Sequence, residues 1–249
     1  MSNISVYLFD EYKDVDINGS YFITGYQGFG LVGYLTSKHI AYELSLKRIG
    51  FIKTRYMPET TFYTEQHGLS YPFELYYGLV KDKKIMVLVN HAIPHVRERT
   101  SYAEYLSLWL KRNKVSTVFL VGGLDSSLKE DMKEKYRWIP INGCTLELDA
   151  PKLCEKYVVG PLALTMMFFN ANKIPGITIL VYTEPYRPDP RASAVAVNVI
   201  AKILGIEINT KKLLEEADMI EAIEEEKRKL MKTIKGEIKP ERRGFSMHV

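Results

Sequence analysis

Residues Tyr21–Gly33 read Tyr-Phe-Ile-Thr-Gly-Tyr-Gln-Gly-Phe-Gly-Leu-Val-Gly. A short apolar run meets a cluster of glycines, and the glycines lead straight into a helical pattern. A strand that turns into a helix within so few residues points to a layered α/β architecture. Glycine supplies the positive φ and the close backbone approach that such a turn needs. Gly28, Gly30 and Gly33 also fit G-x-G-x-x-G, the spacing of a dinucleotide-binding turn. There a helix N-terminus offers free amides to an anion.

The full fingerprint requires an acid roughly 20 residues further on, after the second strand, to bond a ribose. The second strand reads as Ile49–Thr54, and its end carries Lys53 and Arg55 but no acid. The turn therefore reads first as a tight strand-to-helix connection. An anion site is the alternative.

Strand-like and helix-like segments alternate along the rest of the chain. Ser5–Phe9 alternates and reads as an edge strand. Leu31–Leu46 has a helical apolar face. Phe73–Val80 and Ile85–Asn90 are extended runs separated by Lys81–Lys84, which predicts a hairpin. Ile85–Val89 is continuously apolar, as in a strand covered on both faces. Ser101–Lys111 predicts a helix, and Val118–Val121 a buried strand ending in Gly122 and Gly123.

Asn142-Gly143 marks a turn between Tyr136–Ile141 and Cys144–Leu148, a second hairpin. Pro161–Asn170 reads as a helix and Ile177–Tyr182 as a strand. Asp189 caps a helix that starts at Pro190 and runs to Leu204. The last helix begins near Asn209 and ends at Gly236, with acids early and bases late, an order that suits the helix dipole. The expected fold is a three-layer α/β/α sandwich with a mixed, mainly parallel sheet, plus a long C-terminal helix. Residues 1–235 form one domain in this reading, and 236–249 a flexible tail.

Composition narrows the function classes. The 249 residues are 46% apolar and carry a net charge of +4, from 34 Lys and Arg against 30 Asp and Glu. That balance argues against a nucleic-acid partner. The apolar runs, Leu162–Phe169 among them, are too short to span a bilayer. Met1–Tyr12 has no signal-peptide pattern, so the expectation is a cytoplasmic protein with no membrane partner. Cys144 and Cys154 form no C-x-x-C pair. His91 and His95 lie four apart with Pro94 between them, which predicts a surface loop rather than a metal site.

Charged residues follow several strand ends. Asp125 follows Gly122 and Gly123; Glu184, Arg187 and Arg191 follow Ile177–Tyr182. Together with Gly28, Gly30 and Gly33 they outline a candidate anion or ligand crevice. No nucleophile–base spacing marks a triad, and G-x-S-x-G is absent. No catalytic residue, metal or cofactor is assigned.

Four segments carry a family resemblance. They are Gly25–Gly33 ending in Gly-Leu-Val-Gly, Val121-Gly-Gly-Leu124, Glu184–Ala192 ending in Asp-Pro-Arg-Ala, and Leu204–Ile208 followed by Leu213–Ala217. In this order they resemble the proteasome assembly chaperone two family, in its archaeal-type branch. The resemblance implies a three-layer domain related in fold to nucleoside phosphorylases, homo-oligomers and no established catalysis. It also implies binding to α subunits of the proteasome core particle. Some members carry a C-terminal hydrophobic–Tyr–any residue motif that enters pockets between α subunits. Here the corresponding residues are Met247, His248 and Val249, with histidine in the tyrosine position. The expectation is a non-enzymatic binding protein that uses this tail in part. The alternative is a nucleoside- or nucleotide-binding enzyme that uses the Gly25–Gly33 turn.

Overall fold

The computed structural model describes residues 4–237, with side chains described as far as 227. Among the described residues the strands are β1 (Ser5–Leu8), β2 (Tyr21–Gly25), β3 (Lys47–Lys53), β4 (Tyr63–Thr64), β5 (Gly68–Leu69), β6 (Phe73–Val80), β7 (Lys83–Asn90), β8 (Thr117–Asp125), β9 (Tyr136–Ile141) and β10 (Gly176–Thr183). The helices are α1 (Val32–Glu43), α2 (Arg99–Arg112), α3 (Pro161–Ala171), α4 (Pro190–Leu204) and α5 (Lys211–Glu237). Eight strands form one mixed sheet in the order β1-β3-β6-β7-β2-β8-β10-β9. The central run β7-β2-β8-β10 is parallel. The flanking pairs β1–β3, β3–β6, β6–β7 and β10–β9 are antiparallel. β4 and β5 form a separate small hairpin.

Helices cover both faces, as the long apolar runs require. Ile23, Val87, Val89 and Val121 face one core with Ile40 of α1, Val197 of α4 and Leu213 of α5. Their neighbours Phe22, Met86, Leu88 and Leu120 face the other, with Leu106 of α2 and Phe169 of α3. The strand period of two sends alternate residues to opposite layers. All eight residues of β10 are buried.

Several boundaries differ from expectation for identifiable reasons. The β6–β7 turn is only Lys81-Asp82, both at positive φ (43° and 64°). That conformation matches strand twist, so Lys83 joins the ladder opposite Val80. Gly122 and Gly123 do not end their strand, because β10 pairs alongside both and carries β8 on to Asp125. Cys144–Leu148 forms no strand. β9 instead pairs with β10, and its backbone at Trp138 exchanges hydrogen bonds with Pro151 and Leu153. α1 ends at Glu43, three residues before the expected Leu46, and α5 continues to Glu237 past Gly236. Asp189 caps α4 as expected, accepting from the Ala192 amide at 2.8 Å.

Candidate functional site

The glycine turn after β2 is a packing device. A Cβ on Gly33 would lie 2.4 Å from the Val121 carbonyl oxygen, and one on Gly25 would lie 2.4 Å from the Gly33 Cα. A Cβ on Gly123 would meet the Phe29 carbonyl oxygen at 2.2 Å, and one on Gly122 the Leu162 side chain at 2.6 Å. Gly30 has φ 62°, and a Cβ there would meet Thr183 Oγ1 at 2.2 Å. Gly28 alone of these has open space beside it.

Two amides of the turn already have partners. Gly30 N–H reaches Pro185 O at 3.4 Å, and Leu31 N–H donates to Gly28 O at 2.9 Å. The dinucleotide comparison fails in topology too. The neighbours of β2 are β7 and β8, while β3 lies beyond β7 and β6. The strand end that carries Lys53 is therefore not beside the turn.

The charged residues of the expected crevice have partners of their own. Asp125 accepts from the Ser127 amide at 2.8 Å. Glu184 pairs with Arg187 at 2.9 Å, and Arg187 also pairs with Glu224 of α5. Arg191 pairs with Asp218 at 2.7 Å and Glu221 at 3.2 Å, again on α5. The two arginines expected near the glycines thus hold the last helix. Between residues 187–190 and α5 lies a space of only about 20 Å³. Met247, His248 and Val249 lie outside the described residues.

A different cluster has site-like chemistry. Glu74 is the second residue of β6, and its side chain is 1% exposed. A buried carboxylate is tolerable only when it is paired and hydrogen-bonded. Its partners come from three places in the chain. Arg48 Nη1 of β3 donates to Oε1 at 2.6 Å, and the Tyr71 amide donates to the same oxygen at 3.0 Å. Tyr76 Oη donates to Oε2 at 2.7 Å, and His91 Nε2 lies 2.9 Å from that oxygen. Burial alone would raise the Glu74 pKa, but the bonds from His91, Tyr76 and Tyr71 outweigh it and hold it at about 2. Burial and the adjacent carboxylate push the Tyr76 phenol well up.

An ionised Glu74 can only accept, so His91 Nε2 carries a proton. Nδ1 of the same ring shares a hydrogen bond with the Tyr34 hydroxyl of α1 at 3.2 Å. A carboxylate–imidazole–phenol chain results, and Tyr34 lies at its open end. The chain borders a cavity of about 300 Å³ lined by Tyr34, Lys38, Tyr42, His67, Tyr71 and neighbouring residues. The β4–β5 hairpin forms part of its wall. Arg48 holds that hairpin through the carbonyls of Leu69 at 2.7 Å and His67 at 3.0 Å. His67 stacks on Tyr42 with ring centroids 4.4 Å apart. A second cavity of about 530 Å³ shares Tyr42, Arg48 and His67.

Histidine spacing missed this cluster because His91 reads as a loop residue. The available signal was Glu74 itself, one acid inside the run Phe-Glu-Leu-Tyr-Tyr. His95 lies apart from it, stacked on Tyr56 at 4.8 Å. Among the described residues no group of three or more His, Cys, Asp or Glu is placed to hold a metal ion. No helix among them is long and apolar enough to cross a membrane.

The last helix leaves apolar side chains uncovered. Leu213 and Ala217 are buried, but Met219 is 65% exposed and Ile223 is 50% exposed. Tyr186, on the loop before α4, is also almost fully exposed.

Comparison with known proteins adds a lineage to this geometry. Residues 22–228 match the sequence model of the PAC2 family. An uncharacterized protein of Methanocaldococcus jannaschii is 25% identical over 218 residues, covering 86% of this chain and 87% of its own. Pyrococcus furiosus PbaA, an archaeal homologue of proteasome-assembly chaperone, superposes with a TM-score of 0.75 at 21% identity, covering 95% of this chain and 96% of its own. Pyrococcus furiosus PbaB, an archaeal proteasome activator, gives 0.74 at 19% identity, covering 92% and 100%.

Proposed function

This chain belongs to the PAC2 family, and we propose that it is a proteasome-binding protein that docks on α subunits of the core particle. The observation that carries this reading is the family match across residues 22–228. The same fold in two proteins named for proteasome assembly and proteasome activation supports it. The uncovered apolar side chains of α5 also support it, because an exposed apolar stripe on a helix suits a protein partner. Within this proposal the chain acts as a cytoplasmic homo-oligomer. Its tail residues Met247, His248 and Val249 supply a second, weaker contact. A short segment that orders on binding gives modest affinity alone, and several copies in one oligomer raise it by multivalency.

The test is a pull-down with purified proteasome α subunits from the same genome, using the full chain and a form truncated after Gly236. The full chain should retain α subunits, and truncation should weaken retention. Equal retention by both forms would remove the tail from the proposal. No retention of either form at micromolar protein would overturn the function itself.

A further inference from the structure

We propose that the cavity between α1, β6 and the β4–β5 hairpin is a binding site for a small aromatic carboxylate. Its size, walls and charge each point to that class. About 300 Å³ lies at the lower end of small-molecule sites. Tyr34, Tyr42, Tyr71 and His67 line it; Tyr42 and His67 stack on each other and Tyr71 on Phe51, which makes an aromatic wall for a planar ligand.

The charge is decided by which groups already have partners. Both Glu74 oxygens accept two bonds each, from Arg48 and the Tyr71 amide on one side and from Tyr76 and His91 on the other. The charge of Arg48 is paired with Glu74, and its guanidinium also holds the carbonyls of His67 and Leu69. Lys38 remains. It is half-buried, and its ammonium lies 5.7 Å and 5.8 Å from the ring centres of Tyr34 and Tyr42. It makes no ion pair or hydrogen bond with a described residue.

The lining therefore offers one unpaired cation between two tyrosines one helical turn to either side. A monoanion on a flat ring fits: the carboxylate reaches Lys38 while the ring lies among the aromatic walls. A compact inorganic anion would use the cation and leave the aromatic walls without a partner. This site is independent of any contact with the proteasome.

The test is calorimetric titration of the full-length protein with benzoate at neutral pH. Benzamide serves as the neutral isostere, and acetate as the anion without a ring. Benzoate should bind saturably. Benzamide and acetate should each bind at least about tenfold more weakly, the effect of losing one charge-assisted or stacking contact. Lys38→Met should lose benzoate by a similar factor while melting at the wild-type temperature. If that variant loses its cooperative melt, Lys38→Gln takes its place. No saturable heat with millimolar benzoate overturns the site. So does equal binding of benzamide, or undiminished binding by a folded Lys38 variant.

Discussion

A Cβ on Gly33 would come within 2.4 Å of the Val121 carbonyl oxygen. The first turn of α1 is thus pressed against β8, and backbone rather than a flexible side chain stands in the way. Gly33→Ala should destabilise the fold by about 3 kcal/mol or more, because helix or strand must move. Gly28→Ala should change stability by no more than about 0.5 kcal/mol, since nothing lies within 4 Å of that Cβ position. Urea denaturation measures both. A neutral Gly33→Ala would refute the packing role.

The buried carboxylate of β6 makes stability depend on acidity. Glu74 titrates at about 2 in the fold against an ordinary value of 4.5. A depressed folded pKa means its contribution is complete above the ordinary value and is lost as pH falls through the folded one. Glu74→Gln should be less stable than wild type by about 3 kcal/mol at neutral pH, with the gap closing as pH falls from about 4.5 to about 2. Denaturation midpoints across that range test this. A gap independent of pH would contradict it.

Asp189 joins two elements with one side chain. Oδ1 accepts from the Ala192 amide and Oδ2 from Thr183 Oγ1, both at 2.8 Å. Asp189→Ala removes a helix cap and leaves the buried Thr183 hydroxyl without that partner, so a loss of about 2–3 kcal/mol is expected. Asp189→Asn retains the cap oxygen and should lose less than half as much. Thermal melts of the two variants decide the ranking.

The exposed side chains of α5 should matter to partners and not to the fold. Replacing Met219 and Ile223 together by serine should shift stability by less than about 0.5 kcal/mol each. Binding to proteasome α subunits should weaken by about tenfold or more if this stripe is part of the contact. Surface plasmon resonance with immobilised α subunits supplies the readout. Unchanged binding would place the contact elsewhere.

Much of the fold was legible because it depends on local chemistry. The continuous apolar run Ile85–Val89 becomes an interior strand because no other place buries both of its faces. Asp189 followed by Pro190 starts a helix because one side chain accepts an orphan amide and the ring presets φ. The Cys144–Leu148 strand failed because an extended pattern does not name its partner, and at Trp138 the outer edge of β9 bonds Pro151 and Leu153 instead. The pairing of the charged strand-end residues was not legible either. Arg187 and Arg191 follow a strand end, and the carboxylates they pair with come from α5.

The sequence by itself determined the main strands and helices, the α/β class, the α4 cap and the family signature. All of these are carried by spacing within a few residues of chain. Only the tertiary structure decided that Gly33 meets Val121, and that Arg48, Glu74, His91 and Tyr34 converge from β3, β6, the end of β7 and α1. Periodicity states which way a side chain points. It does not state what stands opposite, and for a buried carboxylate the opposing groups set its charge, its pKa and the character of the cavity beside it.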